Sequence, residues 1–234
     1  MILISPDLKK HCRGFRSSPE VIMIFVYMKL RFSLSYRDIE ELSGLKNSDV
    51  SLDHSTFQRW VYRFSSLIEK QVRRKKRPVN GSWRMDETYV KVSGKWVYLY
   101  RAVDSNGDTV DFLLRAKRDM KAAEAFFKRS INNNGIPEKI NIDKSGSNKS
   151  AIIAINKSLE KPIKIRQNKY LNNRIEQDHR FIKKRIKPML GFKSFNSARR
   201  TIAGIESVRM IQKGQILGQI KSQFSFQNFA ALMG

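Results

Sequence analysis

A carboxylate in the middle of a strand-like run constrains this chain more than any other feature. Residues 83–114 read WRMDETYVKVSGKWVYLYRAVDSNGDTVDFLL. Aromatic and β-branched residues fill three runs, Trp83–Val92, Lys95–Val103 and Val110–Leu114. The breaks between them, Ser93-Gly94 and Asp104 to Asp108, hold the residue types that tight turns need. The pattern predicts three short antiparallel strands, with Asp86 inside the first. A carboxylate is a poor strand former and is costly to bury unpaired, so it needs compensation there. A bound cation is one candidate.

The rest of the composition narrows the partner. Among 234 residues, 46 basic side chains face 21 acidic ones, a formal charge of +25. So large an excess repels itself in a compact state, and a polyanionic partner, nucleic acid, is the simplest reason for it. The length suits one or two domains. Cys12 is the sole cysteine, which excludes a disulfide framework and a cysteine-based zinc site. The apolar run Val21–Met28 falls far short of the roughly 20 residues a membrane span needs. Nor does it follow a basic segment with a small-residue cleavage site. No membrane partner is expected, and the predicted location is the cytoplasm.

Punctuation along the chain predicts its organisation. Residues 1–16 form a short basic arm. A helix-turn-helix DNA-binding domain spans 17–72, and its first helix starts at Ser17-Ser18-Pro19-Glu20 and runs to about Phe32. The second covers Tyr36–Leu42, before Ser43-Gly44. Asp53 caps a third over 54–64, with Phe57, Trp60, Val61 and Phe64 inward. Gln58, Arg59, Tyr62 and Arg63 point outward as candidate DNA contacts. Arg73 to Arg77, Pro78 and Asn80-Gly81 mark a basic linker over 73–81.

The core, 82–190, continues from the three strands with a helix over about Asp119–Asn133, carrying Met120, Ala123, Phe127 and Ile131 on one face. A strand over Lys139–Ile142, a helix near Ser150–Ser158, a strand over Ile163–Ile165 and a long helix from about Tyr170 to Lys187 follow. The predicted fold class is α/β (α+β): a mixed five-stranded sheet with flanking helices, preceded by an all-α domain. Residues 191–234 form a basic helical extension expected to pack on the core, with Ile202, Ile205 and Val208 inward.

In this topology the first strand lies centrally and the fourth pairs beside it, which makes Asp86 and Asp143 neighbours. Glu176, in the first turns of the long helix, can point back at them. Three carboxylates make an oxygen-only site suited to Mg²⁺. Glu176, Arg180, Lys183 and Lys187 share one helix face, a carboxylate heading a basic stripe that fits a DNA backbone. Asp178 is rotated about 200° from Glu176 and belongs to another face. Glu87 points to the opposite strand face from Asp86 and reads as structural. Asp104, Asp108 and Asp111 read as turn and strand-edge residues. His179, next to the site, either touches the scissile phosphate or packs the helix.

The blocks MDETYVKV (85–92), KWVYLYRAVD (95–104), NIDKS (141–145), NNRIEQDH (172–179) and LGFKSF (190–195) are similar to those of DDE transposases of insertion-sequence family six. GIE (204–206), the arginine after it and KGQ (213–215) extend the resemblance. It implies an RNase H-like catalytic core with the triad Asp86, Asp143 and Glu176, holding two Mg²⁺ ions for which Mn²⁺ can substitute. It also implies terminal inverted repeats and target DNA as partners, a homodimer or higher synaptic multimer, and a bacterial, nucleoid-associated protein. Glu176 and Lys183 fit the E-x6-K half of a signature of related transposases. Lys169 and Asn172 stand where its upstream tyrosine and arginine would be, with Tyr170 and Arg174 out of phase. Two other readings stand beside this one: a DNA-binding regulator whose core is only a scaffold, and a nuclease that cuts without joining.

Overall fold

This computed structural model describes residues 10–44, 52–144, 146–220 and 224–232. Most of the predicted arm and the loop after the second helix lie outside them. Contacts divide the chain into two compact units, one of residues 78–183, the other of residues up to Arg77 together with those from Lys184 on.

In the unit of residues 78–183, the three aromatic and β-branched runs form β1 (Ser82–Val92), β2 (Lys95–Asp104) and β3 (Thr109–Arg115). β1 and β2 pair antiparallel through a two-residue turn in which Ser93 (φ 48°) and Gly94 (φ 77°) are both left-handed. That turn twist matches the flanking strands. The next turn is built on Asp104, whose buried carboxylate accepts hydrogen bonds from the backbone N–H of Asn80, Asn106 and Asp108 at 2.8–3.0 Å. After α4 (Met120–Asn134), β4 (Lys139–Asn141) joins β1 in parallel. After α5 (Gly146–Asn156), β5 (Lys164–Arg166) joins β4 in parallel. The sheet order is β3-β2-β1-β4-β5, with β1 central, as predicted. This antiparallel meander extended by two parallel crossovers is an RNase H-like sheet.

One sheet face supplies Trp83, Met85, Tyr100, Ala102 and Val110 to a core shared with α4 and α5. The buried stripe of α4 is Ala122, Ala123, Phe126, Phe127 and Ser130. The predicted stripe was rotated from this one, because Met120 is the first residue of the helix and is 41% exposed. The other face meets α6 (Lys169–Ile186), whose Ile175 and Ile182 are fully buried.

The other unit is built from helices. α1 (Pro19–Arg31) begins with Ser18 accepting a hydrogen bond from the Val21 N–H, and α2 spans Tyr36–Gly44. α3 runs over His54–Lys75, twice the predicted length, since the buried stripe Phe57, Trp60, Val61 and Phe64 continues through Ile68 and Val72. The predicted linker over 73–81 therefore starts inside a helix. Arg73, Arg74 and Lys75 occupy its last turn, where cations meet the negative end of the helix dipole. Lys76 then bridges to Ile216. Part of the predicted arm is also docked: Cys12 is buried, and the Phe15 ring lies 6.5 Å from Trp60 and 6.1 Å from Phe64.

The last two helices, α7 (Phe195–Gln212) and α8 (Ser225–Leu232), belong to this unit. Residues 191–234 were expected on the catalytic core, but α7 packs on α3 and α1. Ile202, Ile205 and Val208 are inward as predicted, yet Ser197, Thr201, Gly204 and Ser207 are buried as well, so the helix is covered nearly all round. A helix of that kind must lie inside a bundle. Among the described residues no helix is long and apolar enough to cross a membrane.

Helices α1, α3 and α7 approach one another closely at Gly204. A Cβ there would stand 2.6 Å from both Leu30 Cδ2 and Ser65 Oγ. Gly204→Ala is expected to destabilise the fold by about 1–3 kcal/mol, since three helices must move to admit one methyl group. Chemical denaturation of both proteins checks this, and an unchanged midpoint would count against the packing.

Candidate active site

The parallel pairing of β1 with β4 builds the site. Arg84 pairs with Asn141, so two residues further along each chain Asp86 stands beside Asp143, at the carboxyl end of β4. β4 stops at Asn141, which leaves the edge of β1 open beyond it. Side chains from both faces can approach Asp143 there. Carboxylate oxygens of Asp86, Asp143 and Glu87 lie within 4.8 Å of one another. Strand alternation had assigned Glu87 to the opposite face, away from this chemistry. The alternation holds, and the open edge lets Glu87 reach Asp143 from that opposite face.

Glu87 is the best shielded of the three, its side chain 4% exposed. The Arg118 guanidinium donates from Nη2 to Glu87 Oε2 at 3.3 Å and to Asp143 Oδ2 at 3.1 Å. Asn148 Nδ2 donates to Glu87 Oε1 at 3.0 Å and to Asp143 Oδ1 at 3.4 Å. Two bridges thus tie Glu87 to Asp143. Glu87 reads from the sequence as structural, and Arg118 and Asn148 carry no signal there, because no spacing in the chain predicts that α5 and the loop before α4 converge on one strand edge.

Burial pushes the Asp86 carboxyl up from its ordinary 3.8 to about 6, and the like charges of Glu87, Asp143 and Glu176 add to this, while a hydrogen bond from the Glu87 backbone opposes it. The site is short of positive charge. Glu176 is exposed on α6 and belongs to this electrostatic group without joining the tight cluster.

α6 is fixed over the sheet by two contacts that the sequence did not reveal. Arg101, directly across the β1–β2 ladder from Asp86, donates to Asp178 Oδ2 at 2.6 Å, and both side chains are buried. Asn141 Nδ2 donates to Asn172 Oδ1 and to the Asn168 carbonyl, tying β4 to the start of α6. Asp178 is thus an anchor, on a different side of the helix from Glu176. His179 Nδ1 lies 3.6 Å from Asp86 Oδ2. Burial first, then the cations Arg101 and Lys183, hold its pKa far below the usual range, so this imidazole is neutral. Its Nε2 is buried without a hydrogen-bond partner.

The remaining predicted residues are not members of this cluster. Arg180 and Lys183 are exposed on α6, and Lys187 is exposed in a 3₁₀ turn, Lys187–Met189, beyond the helix end. Gln58 and Tyr62 are half-buried and Arg59 and Arg63 exposed on α3, in the other unit. Gln58 and Tyr62 line a cavity of about 440 Å³ together with Lys29, Tyr36 and Lys193.

An oxygen-only carboxylate cluster, at the carboxyl end of a parallel strand pair in an RNase H-like sheet, fits the class of polynucleotidyl transferases. Residues 80–215 match the DDE domain family DDE_Tnp_IS240. The transposase of the insertion sequence-like element IS431mec from Staphylococcus aureus is 42% identical over 195 residues, covering 83% of this chain and 85% of that protein. The transposase of insertion sequence element IS257 in transposon Tn4003, also from Staphylococcus aureus, has the same identity and coverage. Among solved structures, the magnesium complex of the HTLV-2 integrase catalytic core in its dimeric form matches 65% of this chain and 97% of its own, with TM-score 0.47 and 17% identity. The chain belongs to the DDE transposases of insertion-sequence family six.

Two outcomes follow from the electrostatics of the site. With its folded pKa above the unfolded value, Asp86 is protonated more readily in the native state. The stability this contributes is present below about pH 4 and is lost as pH rises through about 6. In metal-free protein at pH 7, Asp86→Asn is therefore expected to raise stability by roughly 1–3 kcal/mol, with the gain vanishing near pH 4. Thermal melts across that range read it directly. By contrast, Asp178→Ala removes the carboxylate that the buried Arg101 guanidinium donates to and is expected to cost about 3–5 kcal/mol. A small change in denaturation midpoint would show that this pair does not anchor α6.

Proposed function

We propose that this transposase binds the terminal inverted repeats of its insertion sequence, nicks at the 3′ ends and joins them to target DNA. The observation that carries this reading is the register-matched pair Asp86 and Asp143, where burial first, and then the crowding of further carboxylates, lets Asp86 hold a proton to about pH 6. A like-charged oxygen cluster of this kind fits hard divalent cations. Asp86, Asp143 and Glu176 would hold two Mg²⁺ ions, with Mn²⁺ able to replace them. Bound there, the ions supply Lewis-acid activation of the attacking oxygen and stabilisation of the leaving one.

The chain's own groups do the rest. Glu87, through Arg118 and Asn148, keeps the Asp143 carboxylate in one orientation. Neutral His179 seals the inner side of Asp86 against water without adding charge. Arg180, Lys183 and Lys187 contact the phosphate backbone and orient it. Water is the first nucleophile, and the freed 3′ hydroxyl is the second, attacking a target phosphodiester without a covalent protein intermediate.

The first three helices act as a helix-turn-helix that reads the inverted repeat, with Gln58, Arg59, Tyr62 and Arg63 as the contact set. Joining two ends calls for a homodimer or larger synaptic assembly. The charge of +25 suits a protein held on the bacterial nucleoid in the cytoplasm.

The test is strand transfer of a labelled pre-cut end into supercoiled plasmid with Mg²⁺, wild type beside Asp86→Asn. Wild type is expected to join and the variant to bind DNA without joining. Cutting without joining by wild type would replace this reading with a nuclease, and equal binding without chemistry in both would replace it with a regulator. Calorimetric titration with Mg²⁺ should show affinity falling about tenfold per pH unit below about 6, as protons compete for Asp86.

A further inference from the structure

We infer that Tyr89, Trp96 and Tyr98 form a stacking platform for an unpaired nucleotide of the DNA that the adjoining carboxylate site acts on. The inference rests on the reading of that site as a DNA-processing centre. The three residues share the sheet face of Glu87, where the covering helices α4 and α5 contact other residues of the sheet. Tyr89 is 52% and Trp96 61% exposed, an unusual outlay of aromatic surface on a sheet. Tyr89 pairs across the ladder with Tyr98, ring centroids 5.4 Å apart, and meets Trp96 edge-on at 6.3 Å. Tyr98 is the half-buried base of the group and packs against the core.

The charges around these rings are of one sign. Lys91 is directly opposite Trp96, and Arg115 directly opposite Tyr98. Arg118 is within electrostatic reach of the Tyr89 phenol and hydrogen-bonds Asp143. The acid of the adjoining row, Glu87, is shielded and already bridged to Arg118. Aromatic faces interleaved with exposed cations fit a base and its phosphate, and stacking needs no particular sequence. A base inside a duplex has both faces covered, so the occupant is an unpaired one, at a nicked end or an opened target. Tyr89 follows Glu87 by two residues on β1, roughly 7 Å along a strand, about one nucleotide step from the carboxylates. A second copy of the chain is the poorer occupant, because a two-fold contact would set these cations against one another.

The chain has three tryptophans, and Trp60 and Trp83 are each only 2% exposed, so Trp96 alone is placed to report on a stacked base. The experiment titrates full-length protein, without divalent metal, with a blunt duplex and with the same duplex carrying a short single-stranded extension. The extension is expected to quench tryptophan fluorescence and to bind more tightly than the blunt end. Trp96→Phe should abolish the quench and keep the affinity. The double variant Tyr89→Ala with Trp96→Ala should lose roughly tenfold or more for the extended DNA, and nothing for the blunt one.

Equal affinity of wild type and double variant for the extended DNA would overturn the platform while leaving the DNA reading intact. Quenching that follows protein concentration without DNA, and is lost in the double variant, would overturn it in favour of self-association. Failure of wild type to bind either duplex would overturn the DNA reading as well.

Discussion

The structure of residues 78–183 depends on one unfavourable arrangement that the rest of the sheet maintains. Asp86 and Asp143 are brought side by side by the parallel pairing of β1 with β4, partly out of water and with Glu87 and Glu176 adding charge of the same sign. Left to itself such a cluster would spread apart or bind protons. It is kept together because β1 is central, hydrogen-bonded on one side along its whole length to β2, and has nowhere to move. A like-charged oxygen cluster of this kind suits a hard cation.

Around that cluster the supporting contacts divide the work. Arg118 and Asn148 each reach both Glu87 and Asp143, partly offsetting the repulsion between them. Arg101 sits opposite Asp86 in the ladder yet bonds Asp178, and so fastens α6. This choice of partner leaves Asp86 less neutralised than a direct ion pair would. The Asn141–Asn172 bond fixes the start of the same helix one turn before Glu176. Residues with no part in holding a cation thus set the positions of those that would.

The helical unit follows a different logic, since its order comes from shape. α7 carries small residues where α1 and α3 cross it, and Gly204 marks a close approach. Burying that helix on most sides joins the last fifty residues of the chain to the first seventy-seven. The cationic excess is left to surface positions such as Arg59 and Arg63.

Much of this was legible in the residues themselves. Two-residue alternation with Ser93-Gly94 and the Asp104 turn determined β1 to β3, and an acid in a strand interior marked Asp86, because local patterns register what a backbone can form. The neighbourhood of Asp143 followed from strand order, and Ile202, Ile205 and Val208 from helical period. What the tertiary structure alone decided is what depends on where elements end and on what packs across them. Glu87 joins the cluster only because β4 stops at Asn141, which no alternation rule registers. Asp178 finds Arg101 across 77 residues. α3 outran its expected end since Ile68 and Val72 are buried along its stripe, and α7 went to the helical unit because a helix buried nearly all round, Thr201, Glu206 and Ser207 included, shows no single apolar side in sequence. Period and turn chemistry are local properties that a chain carries with it, whereas the partner of a charge or a buried face exists only once the chain has folded.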